Sequence, residues 1–213
     1  LTNLVFTVLA MLTIDKLGRK PLLSIGVLGI AGSMFLLAYG FSQARYELKA
    51  FPVEGVPTEV SEKLEPIKGI VYDSDIAFKA AIQEQVGRGE AMVYETNIIT
   101  AAITANPMLI LVGVLSFVAF FAMSLGPIMW VLFSELFPNY IRGLAISFVG
   151  FVNSMVSFTV QLVFPWELNT IGNVWTFFIY GLFALAGFIF VIKVLPETKG
   201  KSLEELEKQL VRD

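Results

Sequence analysis

Between Pro107 and Ser134 the chain carries no charged residue, and the stretches 21–41, 144–165 and 168–192 also lack Asp, Glu, Lys and Arg. A hydrocarbon core about 30 Å thick is crossed by about 20 apolar residues in helical form. Each of the four stretches is therefore long enough to span a bilayer. Composition points the same way, with 56% hydrophobic and only 15% charged residues and a mean hydropathy of +0.74, far from the balance of a soluble domain. The expected fold class is an all-α membrane protein. The opening run 1–14 is uncharged too, but as helix it reaches only about 21 Å. It opens on Leu and lacks the basic flank and cleavage site of a signal peptide. The simplest reading is that the chain begins inside a fifth span and is a piece of a longer protein.

The chain contains no cysteine and no histidine. Disulfides and thiolate chemistry are excluded, and the commonest catalytic base and metal ligand is missing. No cofactor, metal or nucleic-acid partner is expected, and a membrane enzyme is disfavoured. Charge segregates by loop. Lys16, Arg19 and Lys20 precede one span, Arg142 lies between two others, and Lys193, Lys199, Lys201, Lys208 and Arg212 occupy the tail. All three groups fall on one side if each span crosses once, and basic residues in short loops mark the cytoplasmic face. The expected organisation is therefore membrane helices over 1–41, an extracytoplasmic insert over 42–106, membrane helices over 107–195 and a cytoplasmic tail over 196–213. Trp166 and Trp175 suit an aromatic belt at the outer mouth.

The stretch from Gly126 to Gly143 is unusual for a span. It sets Gly126-Pro127 and a lone Trp130 inside the uncharged run, then Glu135 and Arg142 around Pro138. A Gly-Pro break frees backbone groups that need new partners, so such breaks are buried in protein or face a water-filled cavity. An indole there can stack on a ligand and donate one hydrogen bond. Arg19, Glu135 and Arg142 on one membrane face can form an ion-pair cluster, although solvated topology charges explain the spacing equally well. In the first full span, Gly26, Gly29 and Gly32 make one small-residue face, which plain helix packing accounts for. In 144–165, Ser147, Ser154, Ser157 and Thr159 can bond back to their own helix. Asn153 is different, because a mid-span amide needs the bundle interior or a solute.

The insert holds six basic and ten acidic residues. Pro52, Pro57 and Pro66 mark turning backbone in its first half, which leaves a small folded cap and a disordered strand of chain both open. Residues 75–86 read as an amphipathic helix. Asp75 is the candidate N-cap, Ile76, Lys79, Ala80 and Gln83 lie at helical spacing, and Gly87 follows the end.

Four motifs, Asp15-Lys-Leu-Gly-Arg-Lys, Gly126-Pro-Ile-Met-Trp, Ser134-Glu-Leu-Phe-Pro with Arg142, and Pro196-Glu-Thr-Lys-Gly-Lys-Ser-Leu-Glu-Glu, closely resemble the sugar porters of the major facilitator superfamily. The resemblance covers 1–42 and 107 to the end. It implies most of the C-terminal six-helix half of a twelve-helix fold, from the eighth span to the twelfth, partnered by an N-terminal half. It further implies transport of a monosaccharide, pentose or hexose, by alternating access in a cell membrane, with proton symport expected and facilitated diffusion as the alternative. A sugar sensor of the same fold is a third reading, disfavoured by the short tail.

By the same resemblance, Trp130, Gly126, Phe121 and Asn153 face the sugar, while Asp15, Arg19, Glu135 and Arg142 form a cytoplasmic gate. Glu197 is expected to pair with basic groups of the N-terminal half. The chain departs from the family at Ser154, where relatives carry an aromatic, and over 42–106, where their outer loop is short. The family's proton-carrying aspartate and its glutamine-rich sugar contacts lie in the first and seventh spans, outside this chain.

Overall fold

The structure is a computed structural model and describes residues 1–200. α1 (Thr2–Leu17) ends at Gly18, whose φ of +94° is a conformation that glycine adopts without strain. α2 (Arg19–Ser42) starts at the next residue. The apolar run from Pro107 is cut in two: α6 (Pro107–Met123) and α7 (Leu125–Leu136) meet at Ser124, whose φ/ψ of −127°/−88° is not helical. The sequence located the break at Gly126-Pro127. It falls just upstream because Pro127 lies in the first turn of α7, where its missing N–H would have no intrahelical partner anyway. α8 (Arg142–Thr170) runs through Pro165, and α9 (Gly172–Val194) follows after Ile171. The uncharged stretch 144–165 thus ends well before the helix does, since the helix absorbs the proline. α2, the combined 107–136 segment, α8 and α9 are each long and apolar enough to cross a membrane.

The chain forms two compact units. One comprises Leu1–Phe35, Leu111–Pro165 and the described residues from Phe178, and the other Leu36–Ile110 with Trp166–Phe177. In the first unit, Leu22, Leu23 and Val27 of α2 bury against Ile128 and Leu132 of α7 and Val191 of α9. The glycine face of α2 brings two backbones close together. A Cβ at Gly26 would collide with the Ser124 side chain, and one at Gly29 with the Phe120 ring. Gly32 has open space beside it, so only two of the three expected positions serve this packing. Ser124 is fully buried at that contact and donates its hydroxyl proton to the Phe120 carbonyl at 2.6 Å. α8 buries no residue within the structure.

The second unit contains the insert, which folds throughout. β1 (Arg45–Tyr46) pairs antiparallel with β2 (Ile103–Thr104), closing the insert at its two ends. Between them lie α3 (Thr58–Lys63), a 3-10 turn at Glu65–Ile67, α4 (Asp75–Val86) and α5 (Arg88–Ala102). Leu48, Leu64, Phe78, Ile82 and Ile98 are almost completely buried at its centre. One detail of α4 corrects the sequence reading and a second completes it. Ser74, not Asp75, caps the helix, accepting the Ala77 N–H at 3.1 Å. The buried face is Asp75, Phe78, Ile82 and Val86, because a ring and two branched chains at i, i+4 and i+8 outweigh the smaller set at Ile76, Ala80 and Gln83. Tyr46 is 2% exposed. Its phenol is pushed up to about 12, chiefly by burial and then by the Asp75 carboxylate, against a lowering hydrogen bond with the Asn173 side chain.

Candidate functional site

Two groups of residues stand out in the first unit, one at the junction of α1, α2 and the segment after α9, the other on α6, α7 and α8. The junction is held by two carboxylates. Glu135, in the last turn of α7, faces Arg19: one oxygen, Oε1, receives Arg19 Nε at 3.1 Å and lies 2.9 Å from Arg19 Nη2. The other oxygen, Oε2, accepts the Thr198 hydroxyl at 2.6 Å. Both charged side chains are largely sheltered, at 16% and 22% exposure, where an ion pair is screened less than at the surface. The forked contact with one oxygen and the short hydroxyl bond with the other leave the carboxylate in a single orientation.

Glu197 caps a helix. Its Oε1 accepts the Arg19 N–H at 3.1 Å and its Oε2 the Lys20 N–H at 3.2 Å, while the Lys199 N–H reaches Oε1 at 3.0 Å. These are donors that the first turn of α2 cannot satisfy by itself, and a negative charge there also complements the helix dipole. Gly18 makes room for the cap: a Cβ at this position would lie 2.8 Å from Glu197 Oε2. Lys20 Nζ donates to the Ile192 carbonyl at 2.8 Å, and Lys199 Nζ to the Lys16 carbonyl. The short connection between α1 and α2 is thus clamped from α7 and from the residues after α9.

Arg142 does not join this group. Its Nε donates to the Phe137 carbonyl at 3.2 Å, across the α7–α8 turn, and its Nη2 is buried with no hydrogen-bond partner among the described residues. Asp15 lies in α1, and its side chain is outside the described residues.

On α6 and α7, Phe121 and Gly126 are neighbours. A Cβ at Gly126 would lie 3.5 Å from the Phe121 carbonyl and 3.8 Å from its ring. Phe121 stacks on Phe117 at 6.2 Å. Trp130, one turn along α7 from Gly126, is 49% exposed and meets Phe133 edge-on at 6.0 Å. Asn153 sits in the middle of α8, exposed, with no hydrogen bond from its side chain among the described residues. The structure therefore joins Phe121 with Gly126, and Arg19 with Glu135 and Glu197. It leaves the Trp130 indole and the Asn153 amide open to further contact. Thr198 is the residue that sequence reasoning missed. It was visible inside the Pro196-Glu-Thr motif, but nothing in the spacing tells that its hydroxyl meets Glu135. Among the described residues, no three His, Cys, Asp or Glu gather to hold a metal ion.

Comparisons with known proteins bear on this arrangement. The sequence profile of the family described as "Sugar (and other) transporter" matches residues 1–50 and 86–210. The D-xylose-proton symporter of Escherichia coli (strain K12) is 34% identical over 212 residues, covering 96% of this chain and 31% of the symporter. The arabinose-proton symporter of Bacillus subtilis (strain 168) is 28% identical over 210 residues, covering 99% of this chain and 32% of that protein. The chain thus spans about a third of the length of these curated relatives. Among solved structures, the inward open conformation of the xylose transporter XylE from E. coli superposes with a TM-score of 0.65 at 32% identity, covering 98% of this chain and 33% of that one. With a profile match over most of its length and a shared fold at a third of identical residues, the chain belongs to the sugar transporter family.

Proposed function

We propose that this chain forms the C-terminal part of a multi-pass membrane transporter that moves a monosaccharide, pentose or hexose, by alternating access, in symport with protons. The observation that carries the reading is that a half-exposed indole, Trp130, and an exposed mid-helix amide, Asn153, each interrupt helices otherwise fit for lipid. A sugar presents hydroxyls and apolar ring faces, so its site needs amide donors and acceptors beside an aromatic platform. Phe121 and Gly126 line the same cavity in this reading. An N-terminal half of the same transporter covers the open face of α8 and completes the site near the midplane, between two packings of similar energy. Proton coupling is supported by the xylose and arabinose relatives, both proton symporters.

Asp15, Arg19, Glu135, Arg142 and Glu197 form the gate at the cytoplasmic mouth of a bacterial inner-membrane protein, with the C-terminus in the cytoplasm. The Arg19–Glu135 pair and the Glu197 cap support this assignment, since both hold helix ends whose separation would open that face. The unpartnered Nη2 of Arg142 suits a contact with the N-terminal half.

Uptake of labelled xylose into proteoliposomes by the full-length protein tests the transport reading. Accumulation driven by an inward proton gradient and abolished by a protonophore is expected. Equilibration without accumulation would move the protein to facilitated diffusion, and retained sugar binding without uptake would make it a sensor. Trp130→Ala should weaken sugar binding by about 1–3 kcal/mol, as for the loss of a stacking aromatic, read by tryptophan-independent equilibrium dialysis. Unchanged affinity would reduce Trp130 to its packing contact with Phe133.

A further inference from the structure

α4 carries a carboxylate that its own helix does not need. Ser74 already caps α4, yet Asp75 is buried to 6% exposure. Its Oδ2 accepts the Asn173 N–H of α9 at 3.0 Å. A Cβ at Gly172 would stand 2.7 Å from Asp75 Oδ1, so the whole carboxylate lies against the first turn of α9. The residue before that turn, Ile171, has no side-chain acceptor to offer, and Gly172 opens the helix at φ +79°. The first N–H groups of a helix have no partner within it, and a negative charge beside them complements the dipole.

One turn further along α4, Lys79 Nζ donates to Asn169 Oδ1 at 2.8 Å, in the last turn of α8. It also pairs with Glu95 of α5 at 2.8 Å. Phe41 stacks on Phe177 at 5.4 Å with rings nearly parallel. Through Asp75 and Lys79 the insert therefore grips both sides of the α8–α9 turn. Asp75 and Lys79 fall within 51–85, the segment that the family profile does not match.

We propose that the insert is a brace for the membrane helices, with Asp75 as a positioning residue that supplies from α4 the N-terminal cap α9 lacks and thereby fixes the α8–α9 turn. The role is independent of which solute crosses the membrane. It gives residues 51–85, which the family profile leaves unmatched, a function that a short loop cannot perform, because a short loop has no second helix from which to present an acceptor. The buried insert core holds α4 rigid enough to do so, since Phe78 and Ile82 anchor the face that carries Asp75.

Amide hydrogen exchange on the purified full-length protein, without sugar, tests the brace. Wild type, Asp75→Ala and Asp75→Asn are compared on two peptides, one over 170–178 and one over 82–98 in the insert core. Loss of a cap should speed exchange of the first peptide about tenfold in Asp75→Ala, with the second unchanged. Asp75→Asn keeps an acceptor oxygen and should recover most of the protection. Unchanged exchange over 170–178 in Asp75→Ala would overturn the proposal. So would acceleration shared equally by 82–98, which would mark a general loosening of the insert, or an Asp75→Asn variant no better than Asp75→Ala. A protein that failed to transport sugar would still be able to pass or fail this test.

Discussion

Single residues decide whether the junction of α1, α2 and α7 is a fixed contact or a surface ion pair. Glu135 is bound through both oxygens, by Arg19 and by Thr198, and is mostly sheltered. Exposed pairs give a few tenths to about 1 kcal/mol, while removing one partner of a buried pair strands the other charge. A double-mutant cycle on Arg19→Ala and Glu135→Gln, read by thermal unfolding in detergent, should return a coupling near the upper end, about 1 kcal/mol. A coupling indistinguishable from zero would make the contact a topology charge pair. Tyr46 gives a second prediction, in alkali. Its folded pKa stands at about 12 against the ordinary 10.0, so the fold favours the protonated phenol. That stability is fully present below pH 10 and is lost as pH rises from 10 to 12, amounting to about 2–3 kcal/mol. The loss over that window should be steeper in wild type than in Tyr46→Phe, and equal slopes would contradict it.

The sequence named Arg19 and Glu135 as partners but grouped Arg142 with them, since charge and spacing cannot tell which of two cations a carboxylate chooses. The Arg142 side chain turned to the Phe137 carbonyl five residues back instead, a local choice that depends on the shape of the α7–α8 turn.

At the scale of elements, the spans were legible because lipid imposes a length and excludes charge, and neither condition needs tertiary information. Their interruptions were less so. Pro127 announced a broken helix, but the break fell at Ser124, where the side chain seats against Gly26 of α2. The glycine face of α2 yields a discriminating pair of variants. Gly26→Val must force α2 away from Ser124 and should destabilise the protein by about 1–3 kcal/mol, as overpacking does. Gly32→Ala has open space and should be close to neutral or slightly stabilising through helix propensity. Equal effects, measured by thermal unfolding, would refute the close approach at Gly26. The buried face of α4 was not legible for a related reason. Periodicity leaves several helical faces open, and only the neighbours at Tyr46, Leu64 and Ile98 select the one bearing Phe78 and Ile82.

At the scale of the whole molecule, two units each have a core of their own. Phe78 is fully buried at the centre of the insert, in contact with the rings of Tyr46 and Tyr72. Phe78→Ala should cost about 3–5 kcal/mol and fall on the second unit. Limited proteolysis should then cut within 45–104 well before α2 or α9 is touched. Simultaneous loss of the membrane helices would indicate that the units do not fold separately.

What the sequence by itself determined is the solvent, the number of membrane-length helices, and the family, because apolar length and short motifs are local properties of the chain. The tertiary structure alone decided that the insert is folded rather than loose and that Glu197 caps α2. It also decided that Thr198 completes the shell of Glu135 and that Asp75 reaches α9. Each of these joins residues tens to well over a hundred positions apart, and a hydrogen bond's partner is chosen by distance and direction, which a linear order of residues does not contain.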